Sequence, residues 1–160
     1  MLKAILIVLL LAVFYQDYKA QLVSWYLFPL TAIAFGINFY VMIGENLPYF
    51  LYSVAFNCCM VLLVLLVLFL YSRLKMKMKF INAAFGVGDV LMLFAIAFGF
   101  PPYTFLILLS ISVLFALGCH FILKRKYPYR TVPLAGYMAL FFSVLLAVDH
   151  MPFFPNLYAY

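Results

Sequence analysis

Charged side chains are scarce in this chain: they make up 9% of its 160 residues, against about 25% in an average soluble domain. Hydrophobic residues account for 71%. The chain lacks the polar surface that a water-soluble globule needs, so lipid is the solvent that suits it. We therefore expect a single domain, residues 1–160, built as an all-α bundle of helices in a membrane.

The sequence is also poor in groups that bind metals or cofactors. Its three cysteines, Cys58, Cys59 and Cys119, do not have the paired spacing of a zinc site. His120 beside Cys119 could bind a metal in principle, but a thiol and an imidazole packed between helices is the favoured interpretation. No nucleotide-binding loop and no Ser-His-Asp arrangement is present. We expect neither a metal nor a cofactor.

Long apolar runs predict six membrane-spanning helices, because a helix needs about 20 mostly apolar residues to cross a bilayer. The runs cover approximately Leu2–Gln16, Leu22–Ile43, Leu47–Tyr71, Gly86–Phe100, Tyr103–Leu123 and Val132–Val148, followed by an aromatic tail, Met151–Tyr160. A cleavable signal peptide is the alternative for the first run. The small-residue cleavage pattern does not follow it, so we expect a retained helix.

The positions of lysine and arginine predict the orientation of these helices. Nine of the ten basic residues follow the first, third and fifth runs: Lys19, Arg73, Lys75, Lys77, Lys79, Lys124, Arg125, Lys126 and Arg130. Because cytoplasmic loops retain positive charge, both termini should lie outside in a multi-pass protein of the cytoplasmic (inner) membrane. The net charge of +6 then reflects topology and contact with anionic membrane lipids, and we expect no nucleic-acid partner.

Only four residues are acidic, so each can be assigned to a side of the membrane. Glu45 and Asp149 fall among loop-forming neighbours outside, where we expect solvated charges. Asp17 ends the first helix and Asp89 begins the fourth, which brings both to the cytoplasmic leaflet. Acids set into a membrane usually face the bundle or a water cavity and have a function.

Each of these two aspartates also has a structural explanation. Asp89 follows Gly88 and opens a helix, where a carboxylate can accept backbone N–H bonds and complement the helix dipole. Asp17 could pair with Lys19 at the interface. Position alone does not choose between these explanations and a functional one.

Local sequence favours the functional explanation. Residues Phe85–Leu93 read Phe-Gly-Val-Gly-Asp-Val-Leu-Met-Leu and contain the GxGD pattern of membrane-embedded aspartic peptidases. Glycine permits close backbone approach and a positive φ just before the acid. The pattern therefore indicates a carboxylate at a helix entry that another helix, or an extended substrate, can approach closely.

Nearly the whole chain resembles the type IV prepilin peptidase family, and especially compact members such as preflagellin peptidases. In that family the first catalytic aspartate ends a helix and precedes a basic, polar stretch, as in Asp17–Ser24. The second belongs to a GxGD motif after a basic loop, which matches Gly86, Gly88 and Asp89. The stretch Arg130–Gly136 looks similar to the family's proline-containing entry to the last helix.

The resemblance implies an aspartic endopeptidase in which Asp17 and Asp89 form a joint catalytic dyad, with Gly86 and Gly88 as backbone support. Two close carboxylates repel each other, so one stays protonated as an acid while the other acts as a base. The implied substrate is a membrane-inserted, prepilin-like precursor, which loses a short basic leader at the cytoplasmic face.

The chain also departs from the family pattern. Val23-Ser24 stands where Ile-Pro is common, and Leu91 stands where the family often has lysine. A catalytically inactive scaffold or assembly factor with the peptidase fold is therefore the alternative, and a small transporter with an intramembrane acid is a third class. The chain has no paired-cysteine cytoplasmic domain, so we expect no methyltransferase activity.

Overall fold

The structure is a computed structural model that describes residues 2–20, 23–71, 86–123, 134–149 and 157–158. Within these ranges it contains six α-helices and no strand, which confirms the all-α prediction. The helices are α1 (Leu2–Ala20), α2 (Leu27–Met42), α3 (Leu47–Tyr71), α4 (Val87–Ala97), α5 (Pro102–Leu123) and α6 (Leu134–Val148).

Two of the helices are long and apolar enough to cross a membrane. These are α3, with 25 residues, and the Pro102–Ile122 part of α5, with 21. Their windows are mostly unburied by the rest of the protein, as expected of apolar surface that faces lipid, and they indicate a membrane protein. Three other apolar helices are shorter: α2, α4 and α6 have 16, 11 and 15 residues.

Helix boundaries differ from the sequence prediction at the first connection. α1 continues past Gln16 to Ala20, so Asp17 lies within its last turn. α2 begins at Leu27, and the predicted start at Leu22 is wrong for the described residues 23–26, which form a turn. In this turn the Ser24 N–H donates to Oε1 of Gln16 at 2.9 Å. The Gln16 side chain of α1 thereby provides the acceptor for a backbone N–H that would otherwise bond within a helix.

The connection between α2 and α3 has a local cause in the sequence. Gly44 has a φ of +70°, and such a residue commonly ends a helix because glycine has no Cβ to clash there. The N–H of Glu45 donates to the carbonyl of Tyr40 at 3.0 Å, and that of Gly44 donates to Val41 at 3.2 Å. These two bonds form a Schellman motif. The Glu45 side chain is exposed, as predicted.

α1 and α6 pack most extensively and run antiparallel. Lys3, near the start of α1, pairs with Asp149, just after α6, through a 2.6 Å contact between Nζ and Oδ2. Asp17, near the end of α1, meets Gly136, near the start of α6. The expectation of a solvated Asp149 is therefore wrong: its side chain is only 9% exposed, because burial against α1 brings a cation to it.

α4 lies between α2, α3 and α6, and α5 covers α6 and α3. The short α4 is anchored at its C-terminal end by α3. The fully buried Asn57 donates through Nδ2 to the carbonyls of Ala97, at 3.0 Å, and Phe100, at 2.8 Å. Carbonyls at the end of a helix have no partner within it. This clamp therefore fixes the depth at which α4 ends.

Candidate active site

Asp17 occupies a buried stripe of α1. Leu6, Leu10 and Val13 are 0% exposed and precede Asp17 at helical spacing on the same face. This stripe packs against the core, so the next position along it is carried inward as well. Asp17 is accordingly only 8% exposed. Its burial follows from the apolar pattern of α1 rather than from anything in its own immediate sequence.

The backbone of α6 gives Asp17 its polar partner. The Gly136 N–H donates to Oδ2 of Asp17 at 2.6 Å. Gly136 lies in the first turn of α6, where backbone N–H groups have no partner within the helix. The partial positive charge of a helix N-terminus also favours a carboxylate. Asp17 is thus held by a group suited to an anion.

Asp89 reaches the same place from the first turn of α4. Gly86 is the N-cap, with an extended backbone (φ −74°, ψ 142°), and its carbonyl accepts the N–H groups of Asp89 and Val90 at 3.1 and 3.3 Å. This turn aims the half-buried Asp89 side chain at α6. The Ala135 N–H donates to its Oδ1 at 2.8 Å.

The two glycines of the GxGD motif allow neighbouring side chains to lie close to the backbone. A Cβ at Gly86 would lie 3.1 Å from Oδ2 of Asp89, so glycine leaves room for the carboxylate of its own motif. A Cβ at Gly88 would lie 3.4 Å from Cζ of Phe28, which packs on α4 from α2. Gly86 and Gly88 both have negative φ, so the reason for glycine at these positions is space for close contacts and not a positive φ.

The two aspartates are bound by adjacent amides of one helix end. The nitrogens of Ala135 and Gly136 are joined by three backbone bonds totalling about 4.3 Å. With hydrogen bonds of 2.8 and 2.6 Å, the bound oxygens of Asp89 and Asp17 lie within roughly 10 Å of each other. The structure therefore brings both predicted site residues together.

No protein-family model, curated protein or solved structure matches the chain. The resemblance to prepilin peptidases therefore stays a prediction, as do the catalytic roles of the aspartates.

The structure bears on the two structural explanations for the aspartates. Lys19 does not pair with Asp17: its Nζ lies 3.4 Å from the hydroxyl of Tyr15 and 5.5 Å from the centre of that ring. The Asp89 carboxylate bonds to the N-terminus of α6 through Oδ1, and it also has a backbone hydrogen bond to Gly86, the N-cap of the helix that it opens. Asp89 therefore caps its own helix and reaches a second one. Both carboxylates are thus directed to one shared position.

Several predicted features lie outside the described residues. They are Phe85, the basic residues in 73–79 and 124–130, and the stretch 131–133 that leads into α6. Among the described residues, no group of three His, Cys, Asp or Glu side chains could hold a metal ion. The chemistry available at this site is that of two carboxyl groups and helix amides.

Sequence reasoning missed the amides of Ala135 and Gly136. Proline marks the stretch Arg130–Gly136 in the sequence. Every residue except proline carries a backbone N–H, so the residue types do not show which amide acts as a donor. The available signal was the pair of small residues, Ala135 and Gly136, near the start of the predicted sixth helix. Small residues there let another helix approach the exposed amides.

Proposed function

We propose that this chain is a multi-pass membrane aspartic endopeptidase of the prepilin peptidase type, with Asp17 and Asp89 as its catalytic dyad. The observation that carries the proposal is that adjacent amides at the start of α6 hold one oxygen of each carboxylate. In the proposed dyad, the two carboxyl groups share a proton and bind the attacking water. Two carboxylates that share one proton are the arrangement that aspartic proteases use.

The dyad would hydrolyse a peptide bond by acid and base catalysis. One carboxylate takes a proton from water as the water oxygen attacks the scissile carbonyl carbon. The protonated partner then gives its proton to the departing nitrogen as the C–N bond breaks. The two carboxyl groups exchange these roles as a pair, so the proton belongs to the dyad and not to one residue. This chemistry needs no metal.

We propose that the six helices form a transmembrane bundle in the inner membrane, with both termini outside. We call the end of the bundle that contains Asp17, Asp89 and the start of α6 the aspartate end. α1, α3 and α5 end on this side, and in the sequence each of these helices is followed by, or ends in, basic residues. The positive-inside rule then makes the aspartate end cytoplasmic.

Helix lengths support a dyad set below the membrane surface. The helical rise gives about 21 Å from Asn57 to Tyr71 along α3, but only about 12 Å from Ala97 back to Asp89 along α4. Because Asn57 bonds to Ala97, these two distances start at a common level. α3 thus continues about 9 Å past Asp89 if the axes are parallel. The scissile peptide bond of a substrate would reach the dyad at the depth where the leader of that substrate leaves the bilayer.

The substrate class follows from this position. A prepilin-like precursor has a short basic leader in the cytoplasm, then the cleavage point, then an apolar helix in the membrane. Such a precursor would bring its scissile bond to the cytoplasmic leaflet while its helix stays in lipid. The basic stretches of the enzyme would contact anionic lipid head groups.

Co-expression with prepilin-like precursors tests the proposal by following leader removal on gels. Wild type should cleave a precursor, and Asp17→Asn and Asp89→Asn should each abolish cleavage while inserting into the membrane normally. Glu45→Gln is the matched control, since it makes the same change in an exposed turn. Normal cleavage by either aspartate variant, or none by wild type across a broad panel of precursors, would refute the dyad.

A non-catalytic scaffold is the second candidate. The observation that favours it is the departure from the family pattern at Val23-Ser24 and Leu91. A scaffold would bind precursors or assembly partners without cleaving them, and its binding would be unaffected by Asp17→Asn. Co-purification of intact precursor with wild type and with this variant alike would favour the scaffold.

A further inference from the structure

α6 contacts the two aspartates through residues of different kinds. Ala135 donates its N–H to Asp89 and has a methyl side chain, and the residue is buried. Gly136 donates its N–H to Asp17 and has no side chain. The hydrogen bond from Gly136 is the shorter of the two, at 2.6 Å against 2.8 Å. The contact between Gly136 and Asp17 is therefore the tighter one.

Asp17 occupies the space where a side chain of residue 136 would stand. A Cβ there would lie 2.9 Å from Oδ2, 3.0 Å from Cβ and 3.4 Å from Cγ of Asp17. Rotation of the carboxylate could relieve the contact with Oδ2, but the Cβ of Asp17 moves only with the backbone of α1. An added methyl group would therefore push α1 and α6 apart at this level.

Apolar packing along α1 opposes such a shift. The Asp17 stripe continues into Leu6, Leu10 and Val13, all fully buried, and close-packed interiors transmit small displacements instead of absorbing them. The carboxylate would consequently turn away from the amide of residue 136. Asp89 would stay on Ala135, so the gap between the two carboxyl groups would change.

We propose that Gly136 is a positioning residue of the dyad: its N–H and its missing side chain together set the place of the Asp17 carboxylate beside Asp89. This inference rests on the proposed peptidase function, but the contact that it invokes can be measured without activity. Gly136 takes no part in the chemistry. It fixes one oxygen of Asp17 so that the other faces the reacting groups.

Steady-state cleavage of a precursor tests this role with Gly136→Ala. A displacement of about 1 Å in a catalytic group can cost about 100-fold in rate, so we expect kcat to fall about 10- to 100-fold with KM unchanged. Gly118→Ala is the matched control, because a Cβ at this exposed position of α5 meets nothing within 4 Å. It should retain wild-type kcat.

A cysteine crosslink tests the contact itself in the full-length protein. In a background without Cys58, Cys59 and Cys119, the pair Asp17→Cys and Gly136→Cys should form a disulfide on mild oxidation. Disulfides join Cβ atoms about 3.5 to 4.5 Å apart. The Asp17 Cβ lies 3.0 Å from a Cβ built at 136, so the small separation of α1 and α6 that an added Cβ causes brings the pair into this range. The pair Asp17→Cys and Gly118→Cys is the control. Peptide mass spectrometry would identify the linked fragments.

The outcomes separate the two proposals. Wild-type kcat in Gly136→Ala, an effect on KM alone, or no crosslink between positions 17 and 136 would each overturn the role of Gly136. A loss of kcat together with the crosslink supports it. If wild type cleaves nothing, the peptidase proposal fails, and the crosslink alone decides whether Gly136 holds Asp17.

Discussion

Replacing Gly99 with alanine perturbs the closest approach between the end of α4 and the middle of α2. A Cβ at position 99 would lie 2.5 Å from Cδ1 and 3.1 Å from Cγ of Phe35. Ordinary van der Waals contact begins near 3.4 Å, so the methyl group and the ring cannot keep their present positions. Either the turn after α4 or the Phe35 ring has to move.

Neither movement has free space available. Phe35 is 0% exposed, and its ring packs on those of Phe100 and Phe142 at centroid distances of 5.8 and 6.1 Å. The turn after α4 is clamped by Asn57 through the carbonyls of Ala97 and Phe100. Inserting a methylene into a well-packed core typically costs about 1 to 3 kcal/mol. The folded-to-unfolded ratio should fall about 5- to 150-fold.

Reversible unfolding of the purified protein in mixed micelles, followed by circular dichroism as the fraction of denaturing detergent rises, measures this loss. Gly99→Ala should unfold at a lower fraction, whereas Gly118→Ala adds a methyl group in open space and should be as stable as wild type or slightly more. Adding Phe35→Leu to Gly99→Ala should recover part of the loss, since a smaller side chain removes the clash.

The double-variant comparison makes the reasoning refutable. If Gly99→Ala unfolds like wild type, the approach of α4 to Phe35 is not as close as described. If it is destabilised but Phe35→Leu costs as much in its presence as alone, the two positions are not coupled. Either result would contradict overpacking as the mechanism.

Two further changes test the polar contacts that hold the bundle. Asn57→Leu leaves the carbonyls of Ala97 and Phe100 without a hydrogen-bond donor in the core. The free energy of unfolding should therefore fall by about 1 to 3 kcal/mol. Unchanged stability in the same detergent assay would show that these two hydrogen bonds contribute nothing. Lys3→Met leaves the carboxylate of Asp149 without its cation and should cost about 1 to 3 kcal/mol. A double variant with Asp149→Asn should recover part of that cost, and strict additivity would contradict the ion pair.

Helix content could be predicted from the sequence because apolar runs are its strongest signal. The connection between α1 and α2 could not. Apolar residues continue across this connection in the sequence. Residues 23–26 are held as a turn by a hydrogen bond from the Ser24 N–H to the side chain of Gln16 on the preceding helix. The sequence reveals both residues but not that contact. The predicted start of the second helix was consequently five residues too early.

The two site aspartates could be predicted because acids are so few and the GxGD glycines mark one of them. Asp149 was misjudged for the opposite reason: its partner, Lys3, is 146 positions away in the sequence. Loop-forming neighbours suggested solvent, and only the antiparallel packing of α1 on α6 shows that a cation meets it. Gly136 was missed because a backbone amide leaves no mark on the sequence.

Polar contacts at both ends of the α1–α6 pair set its register. In lipid, apolar side chains give little preference for one alignment over another, because lipid tails are as apolar as leucine. A slide of α1 by one turn, about 5.4 Å, would break both the Lys3–Asp149 pair and the bond from Gly136 to Asp17. The proposed catalytic carboxylate therefore also aligns the helices.

The dual role of Asp17 determines which variants can test catalysis. Asparagine at position 17 keeps a carbonyl oxygen that accepts the Gly136 N–H, and it removes only the titratable group. Alanine would also remove the contact that aligns the helices. Loss of cleavage in Asp17→Asn would therefore report on the chemistry, whereas loss of cleavage in Asp17→Ala would not.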